Sequence, residues 1–311
     1  MAKKEKKKKL GSLSYQLIER LKSMDCIGES RKYAKEEARE QLGFQNGRTI
    51  GIHSYKSFDK AKTVSKGFAN YVKENYPNIK DINNIDEDII IEYIEYRATL
   101  NLSQKTVDTD RTILNKIFNI NITKKQLGHD KFSYKDITKG RDENVDLKYN
   151  YENWKDQIEV VRGTGIRRSS VTKIKKENFI RNNIGQCVAI KVKEKGGKER
   201  IAPILHAYRE NITNIVNNVK EGETIFKKFT TKINAHALRR EYASNLYKEL
   251  ERGQYKDYKK YGLQKAWGRG VKTQGDFRGY NAENLAVVSQ ALGHNRLDVV
   301  VYNYIGARKG K

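Results

Sequence analysis

The chain has 311 residues, 37% hydrophobic and 32% charged, and its 63 Lys plus Arg against 38 Asp plus Glu leave a formal charge of +25. That length allows two domains with a core in each, and that charge gathers polyanions: nucleic acid first, an anionic membrane surface as the alternative. No apolar run of about 18 residues is available to span a bilayer, and Cys26 and Cys187 stand in unrelated contexts that match neither a zinc site nor a disulfide framework, so a reducing, cytoplasmic setting is expected.

The start, MAKKEKKKKLGSL, is basic without an apolar h-region, so residues 1–11 are expected to be a solvated tail and not a secretion signal. Leu10, Leu13, Leu17 and Leu21 recur at helical spacing and predict a first helix over about residues 12–24. Residues 43–51, GFQNGRTIG, suggest a loop. Phe58, Ala61, Val64, Phe68 and Val72 form a second stripe that ends before Pro77. Asp86 is placed to cap a third helix that buries Ile90, Ile91 and Ile94, and a fourth follows Ser103 through Val107, Leu114, Ile117 and Phe118. Residues 12–127 are therefore expected to form a helical bundle, and the Lys and Arg on its outer faces tilt it towards DNA binding. From 128 to 150 the pattern dissolves into turn formers and charges, the best linker candidate, with His129 as an exposed histidine.

The second part, 151–311, opens with a helix through Trp154, Ile158 and Val161 that breaks at Gly163-Thr164-Gly165. Arg167 follows at the start of a new helix, where free backbone N–H groups favour a phosphate. Val188, Ile190 and Val192 alternate with polar residues, Gly196-Gly197 turns, and a second strand runs to Pro203, which is a β-hairpin carrying Lys195 and Lys198 at its tip. His236 and Arg239 lie three apart on a helix whose leucine stripe is Leu238, Tyr242 and Leu246, so both are expected to project outside the core. Residues 254–280 are basic and aromatic without periodicity, a loop-rich insertion suited to DNA phosphates or frayed bases. Near the C-terminus, QALGHNRLDVVVYNYI puts His294 on a turn ahead of Tyr302 and Tyr304.

Together GTGIR, the KGGKER hairpin, HALRR and LGH followed by a tyrosine resemble, in order and context, the tyrosine recombinase family, the phage-type integrases. The resemblance covers residues 150–306, and the helical first half looks like that family's DNA-clamping domain. It implies a mainly α chain with a small β-sheet: an N-terminal helical DNA-clamping domain and an α+β catalytic domain. Carried over residue by residue, it implies catalytic roles for Arg167, Lys195, His236, Arg239 and His294. The nucleophile follows the LGH histidine by about nine or ten positions in the family; Tyr304 stands ten on and Tyr302 eight on. On a helix two positions are about 200° apart, so one phosphate cannot face both. Tyr304 is the expected nucleophile and Tyr302 the alternative. Lys198, Arg200, Arg240, Arg269, Lys272 and Arg278 are the expected DNA contacts. Two departures stand out: where the family commonly has an acid three after the first arginine, this chain has Ser170, which supplies no buried counter-charge, and the basic insertion makes the separation of the His236 and His294 motifs longer than in compact members.

The chemistry so implied is attack by the Tyr304 oxygen on a DNA phosphodiester. Arg167 and Arg239, with His294, would stabilise the charge that builds on the non-bridging oxygens, His236 would assist proton removal, and Lys195 would protonate the departing 5′ oxygen. The 3′-phosphotyrosyl product conserves the bond energy, so neither ATP, a metal nor another cofactor is needed. Double-stranded recombination sites and a homo-oligomer, a tetramer in the synapse, are the implied partners, and no membrane is. A type IB topoisomerase and a non-catalytic DNA-binding protein with a degenerate site are the alternatives.

Overall fold

A computed structural model describes residues 10–42, 49–128, 151–194, 199–254, 275–294 and 296–306. The chain divides into two compact units, Met1–Ile137 and Thr138–Lys311. The linker expected from 128 to 150 falls, from 129 onward, outside the described residues, as does His129. The architecture is mainly α with small antiparallel sheets.

Among the described residues the first unit contains five α-helices: α1 (Leu13–Lys22), α2 (Arg31–Leu42), α3 (Tyr55–Asn75), α4 (Glu87–Thr99) and α5 (Gln104–Phe118). The expected stripes are buried except for Leu10, which is exposed ahead of α1, and Ile91 and Phe118, which are partly buried; Leu17, Leu21, Phe68, Val72, Ile94 and Leu114 are fully enclosed, and each such side chain contributes roughly 1.5–3 kcal/mol relative to exposure. Side-chain caps start four of them. Ser12 accepts from the Tyr15 N–H, Ser54 from Ser57, Asp86 from Ile89 and Ser103 from Thr106, satisfying donors that have no partner in the first turn. Helix α2 was not foreseen. Its sequence, RKYAKEEAREQL, is polar all round and only Ala38 among its described side chains is buried, so there was no stripe to read. The buried carboxylate Asp110 on α5 is held by Arg97 at 3.0 Å and Lys60 at 3.7 Å.

The second unit contains α6 (Lys155–Thr164), the short α7 (Arg168–Val171), strands β1 (Phe179–Arg181), β2 (Cys187–Lys193) and β3 (Glu199–Pro203), α8 (Arg209–Asn217), α9 (Ala235–Glu251), the two-residue strands β4 (Asp276–Phe277) and β5 (Tyr280–Asn281), α10 (Ala282–Ala291), α11 (Leu297–Val300) and a π-helix (Val301–Ile305). The β2–β3 hairpin is antiparallel, pairing Ile190 with Ala202 and Val192 with Arg200, and β1 adds to its other edge. Cys187 to Ile190 are buried in succession, so the start of β2 is covered on both faces and only its end alternates as expected.

The break after α6 is set by Gly165, at φ 61°, which closes the helix by donating to the Val161 carbonyl at 2.8 Å. A Cβ there would also collide with the Tyr242 ring. Tyr242 is fully buried at the centre of α9 and its hydroxyl donates to the Pro203 carbonyl at 2.9 Å, which ties α9 to the end of β3. Helix α9 therefore runs through the core, with Leu238, Tyr242 and Leu246 in one apolar cluster with residues of α6 and α10, against which the helix packs. Cys187 is a buried free thiol and Cys26 a half-buried one. Among the described residues no helix is long and apolar enough to cross a membrane.

Candidate active site

Arg167 caps α7, a helix of only one turn, and its backbone N–H is not open to a phosphate. It donates to Glu194 Oε1 at 2.7 Å. The Arg167 guanidinium pairs through Nη1 with Glu194 Oε2 and donates through Nη2 to the Leu292 carbonyl at 3.3 Å. Arg239 reaches the same place from α9. Its Nη2 donates to the Leu292 carbonyl at 3.0 Å and its Nη1 to the Gly165 carbonyl. Two guanidiniums from distant segments thus share one acceptor on the turn that carries His294.

Arg239 was expected outside the core and is instead 3% exposed. Burial pulls its pKa below the ordinary value, opposed by the nearby Tyr304 oxygen. The helix has apolar partners on more than its leucine side, so a three-residue offset did not carry Arg239 to solvent. The next turn of the structure explains how α9 is aimed: Arg168 donates to the carbonyls of Thr230 and Ile233, just ahead of the Asn234 cap of α9.

Tyr304 is the buried tyrosine of the π-helix. Its hydroxyl lies 3.0 Å from His294 Nε2 and 3.5 Å from Arg239 Nη2. The His236 ring stands 5.1 Å from the Tyr304 ring, centroid to centroid, and the His294 ring 5.5 Å. Burial, then Arg239, Arg167, Arg200 and His236 in turn, push His294 down to about 4. At neutral pH its imidazole is uncharged and can accept a proton. Tyr302 points elsewhere: the Arg278 guanidinium lies 4.5 Å from the centre of its ring. The segment is π-helical where a plain helix was expected, a form that occurs mostly as single turns and frequently at functional sites. On either winding the two tyrosines leave the axis on different sides.

The five described residues Arg167, His236, Arg239, His294 and Tyr304 are thus gathered by the Gly165 and Leu292 carbonyls and the Tyr304 ring. Lys195 and Lys198 lie outside the described residues, as do Arg269 and Lys272. Arg278 is exposed, and Arg240 borders a cleft of about 540 Å³ beside Tyr302 and Tyr304. Arg200, expected to contact DNA, is 7% exposed: it pairs with Glu194 Oε2 at 2.9 Å and donates to the carbonyls of Ala291 and Gly165. Its place on β3 opposite Val192 turns it inward.

Glu194 is the residue that the sequence reading missed. Its side chain is 2% exposed, at the end of β2, and it supplies the counter-charge that Ser170 does not. Burial works against its ionised form, but Arg200 and Arg167 outweigh it and hold the carboxyl at about 2. A signal existed: an arginine centre lacking its usual acid has to find another, and Glu194 is the one acid between Val188 and Lys198.

No family model matches the chain, and no curated protein does. Solved structures do. The XerH site-specific recombinase bound to palindromic difH substrate, a post-cleavage complex, matches with a TM-score of 0.52 at 17% identity over 94% of this chain and 91% of that one. The pre-cleavage complex of XerH with difH gives 0.49 at 17% over 96% and 92%. The Tn1549 transposon integrase with right-end DNA gives 0.40 at 10% over 89% and 95%. At such identities likeness speaks to the fold, and the fold of this chain is that of the tyrosine recombinase XerH.

Proposed function

We propose that the chain is a site-specific DNA recombinase that cuts and rejoins strands through a covalent 3′-phosphotyrosyl intermediate, with Tyr304 as nucleophile. The observation that carries this reading is the Tyr304 hydroxyl itself, 3.0 Å from an uncharged His294 and 3.5 Å from Arg239, whose guanidinium shares the Leu292 carbonyl with Arg167. A phenol, a neutral base and two forked cations are what in-line attack on a phosphodiester needs. The Tyr304 oxygen attacks phosphorus, the P–O5′ bond breaks, and the phenolic proton passes to an imidazole. His294, at 3.0 Å, is the acceptor; His236, assigned that task from the sequence, would flank the ring and serve the phosphate.

Arg167 and Arg239 neutralise the charge that grows on the non-bridging oxygens, and Lys195 protonates the departing 5′ oxygen. Neither metal nor ATP enters the scheme, since the phosphotyrosyl bond stores the energy for rejoining. Double-stranded recombination sites are the substrate, in keeping with the difH duplex in the XerH complexes, and exchange between two sites would use a tetramer.

The test is a nicked duplex carrying the sequence that the protein selects from a randomised DNA pool. Wild-type protein should accumulate a covalent adduct on it, Tyr304→Phe should form none, and Tyr302→Phe should still react. An adduct lost in Tyr302→Phe and kept in Tyr304→Phe would overturn the assignment. Plasmid relaxation with no exchange between two selected sites would make the chain a topoisomerase.

A further inference from the structure

We infer that Glu194 is a positioning residue for the arginine pair, standing in for the acid absent at Ser170; this rests on the recombinase reading above. Four donors from two segments, the start of α7 and strand β3, converge on its carboxylate. Oε1 accepts from the Arg167 N–H at 2.7 Å and from Ser170 Oγ at 2.9 Å. Oε2 accepts from Arg167 Nη1 and from Arg200 Nε at 2.9 Å. Its side chain is 2% exposed and each of its oxygens already accepts from two donors.

Three guanidiniums, Arg167, Arg200 and Arg239, crowd the Gly165 and Leu292 carbonyls, and Glu194 is the carboxylate that pairs with two of them. It fixes Arg167 at both ends, backbone and fork, so that Nη2 is left to meet the Leu292 carbonyl beside Arg239. The fit is close. Gly293, at φ 72°, lies so near that a Cβ would come within 3.0 Å of Arg200 Cδ and 3.4 Å of Arg167 Nη1. The His294 turn therefore rests directly on the two cations that Glu194 holds. Arg167 keeps 27% of its side chain exposed, the part that a phosphate would meet. Because Glu194 itself is enclosed, it acts on the reaction through Arg167 and not by touching DNA.

Removing the charge should misplace Arg167 without weakening the many surface cations that hold DNA. In Glu194→Gln, single-turnover adduct formation on the selected nicked duplex should fall on the order of 10²-fold, while the affinity for that duplex stays close to wild type. Ser170 Oγ touches the carboxylate, so an acid at 170 can reach the same donors. Glu194→Ala with Ser170→Asp should react at least about tenfold faster than Glu194→Ala alone, a rescue that a merely space-filling role would not give. Ser170→Asp by itself should be impaired, since two carboxylates would then face one site.

Adduct rate and DNA affinity falling together in Glu194→Gln would overturn the role. So would a double variant no faster, or no better folded, than Glu194→Ala. A wild-type protein that forms no adduct at all would instead sink the recombinase reading, which keeps the two failures apart.

Discussion

His294 carries two demands in one ring. On the proposed mechanism it has to be uncharged to accept the Tyr304 proton, and it sits among three arginines that would resist its protonation in any case. Burial and those cations hold it at about 4, whereas a histidine in the unfolded chain titrates at about 6.5. As pH falls from about 6.5 to about 4, the unfolded chain takes up a proton that the folded one refuses, so the folded state loses stability across that window and no more from this residue below it. Glu194, held at about 2, adds a second loss as pH falls from the ordinary carboxylate range towards that value. His294→Gln should therefore flatten the decline of the melting temperature between pH 6.5 and 4 and leave the decline below pH 4. Calorimetry of both proteins across that range checks it, and an unchanged upper limb would mean that the ring is not held neutral. His294 was legible because a Leu-Gly-His turn ahead of a tyrosine is a local pattern. Glu194 was not, because an acid beside a hairpin lysine looks like ordinary surface charge until the strand pairing places Arg200 and the fold brings Arg167 against it.

Elements announced themselves in proportion to how one-sided they are. α1, α3, α4 and α5 have apolar stripes and side-chain caps, and the starts of α1, α4 and α5 fell within a residue of expectation; α2, without a stripe, escaped. The same logic hid α10 and the β4–β5 hairpin, which are too short or too uniformly apolar to show a period. That hairpin has a task at the site. Tyr280, at the start of β5, donates its hydroxyl to the Gly306 carbonyl at 3.0 Å and packs edge-on against Tyr247 of α9, while Arg278 covers the Tyr302 ring. The π-helix is thereby gripped at its end and on its outer side. Tyr280→Phe keeps the ring contacts and deletes one hydrogen bond, a change worth about 1 kcal/mol. Amide exchange over residues 301–306 should quicken in this variant while that of α9 is unchanged. Equal exchange in the two proteins would show that the tyrosine segment is held by its own packing on α9.

At the scale of the whole chain the charge of +25 is the first thing the sequence offers and the last that the fold accounts for. Part of it is internal: Arg200 and Arg239 are buried, committed to carbonyls and, for Arg200, to Glu194, and do not belong to the surface field. The remainder should govern binding to DNA, with an affinity that falls steeply with salt as condensed counterions are released. Composition could not tell these two populations of cations apart, because burial of an arginine depends on an acid and carbonyls that are remote in sequence. The distinction yields a measurable contrast on the selected duplex. Arg269→Ala and Lys272→Ala, in the basic insertion, should each lower the slope of log K against log salt by about 1, the loss of one phosphate contact. Arg200→Gln should leave that slope unchanged while lowering the melting temperature, since it leaves the buried Glu194 with a weaker partner. A slope that falls for Arg200→Gln and holds for the insertion variants would invert the division between structural and DNA-facing cations.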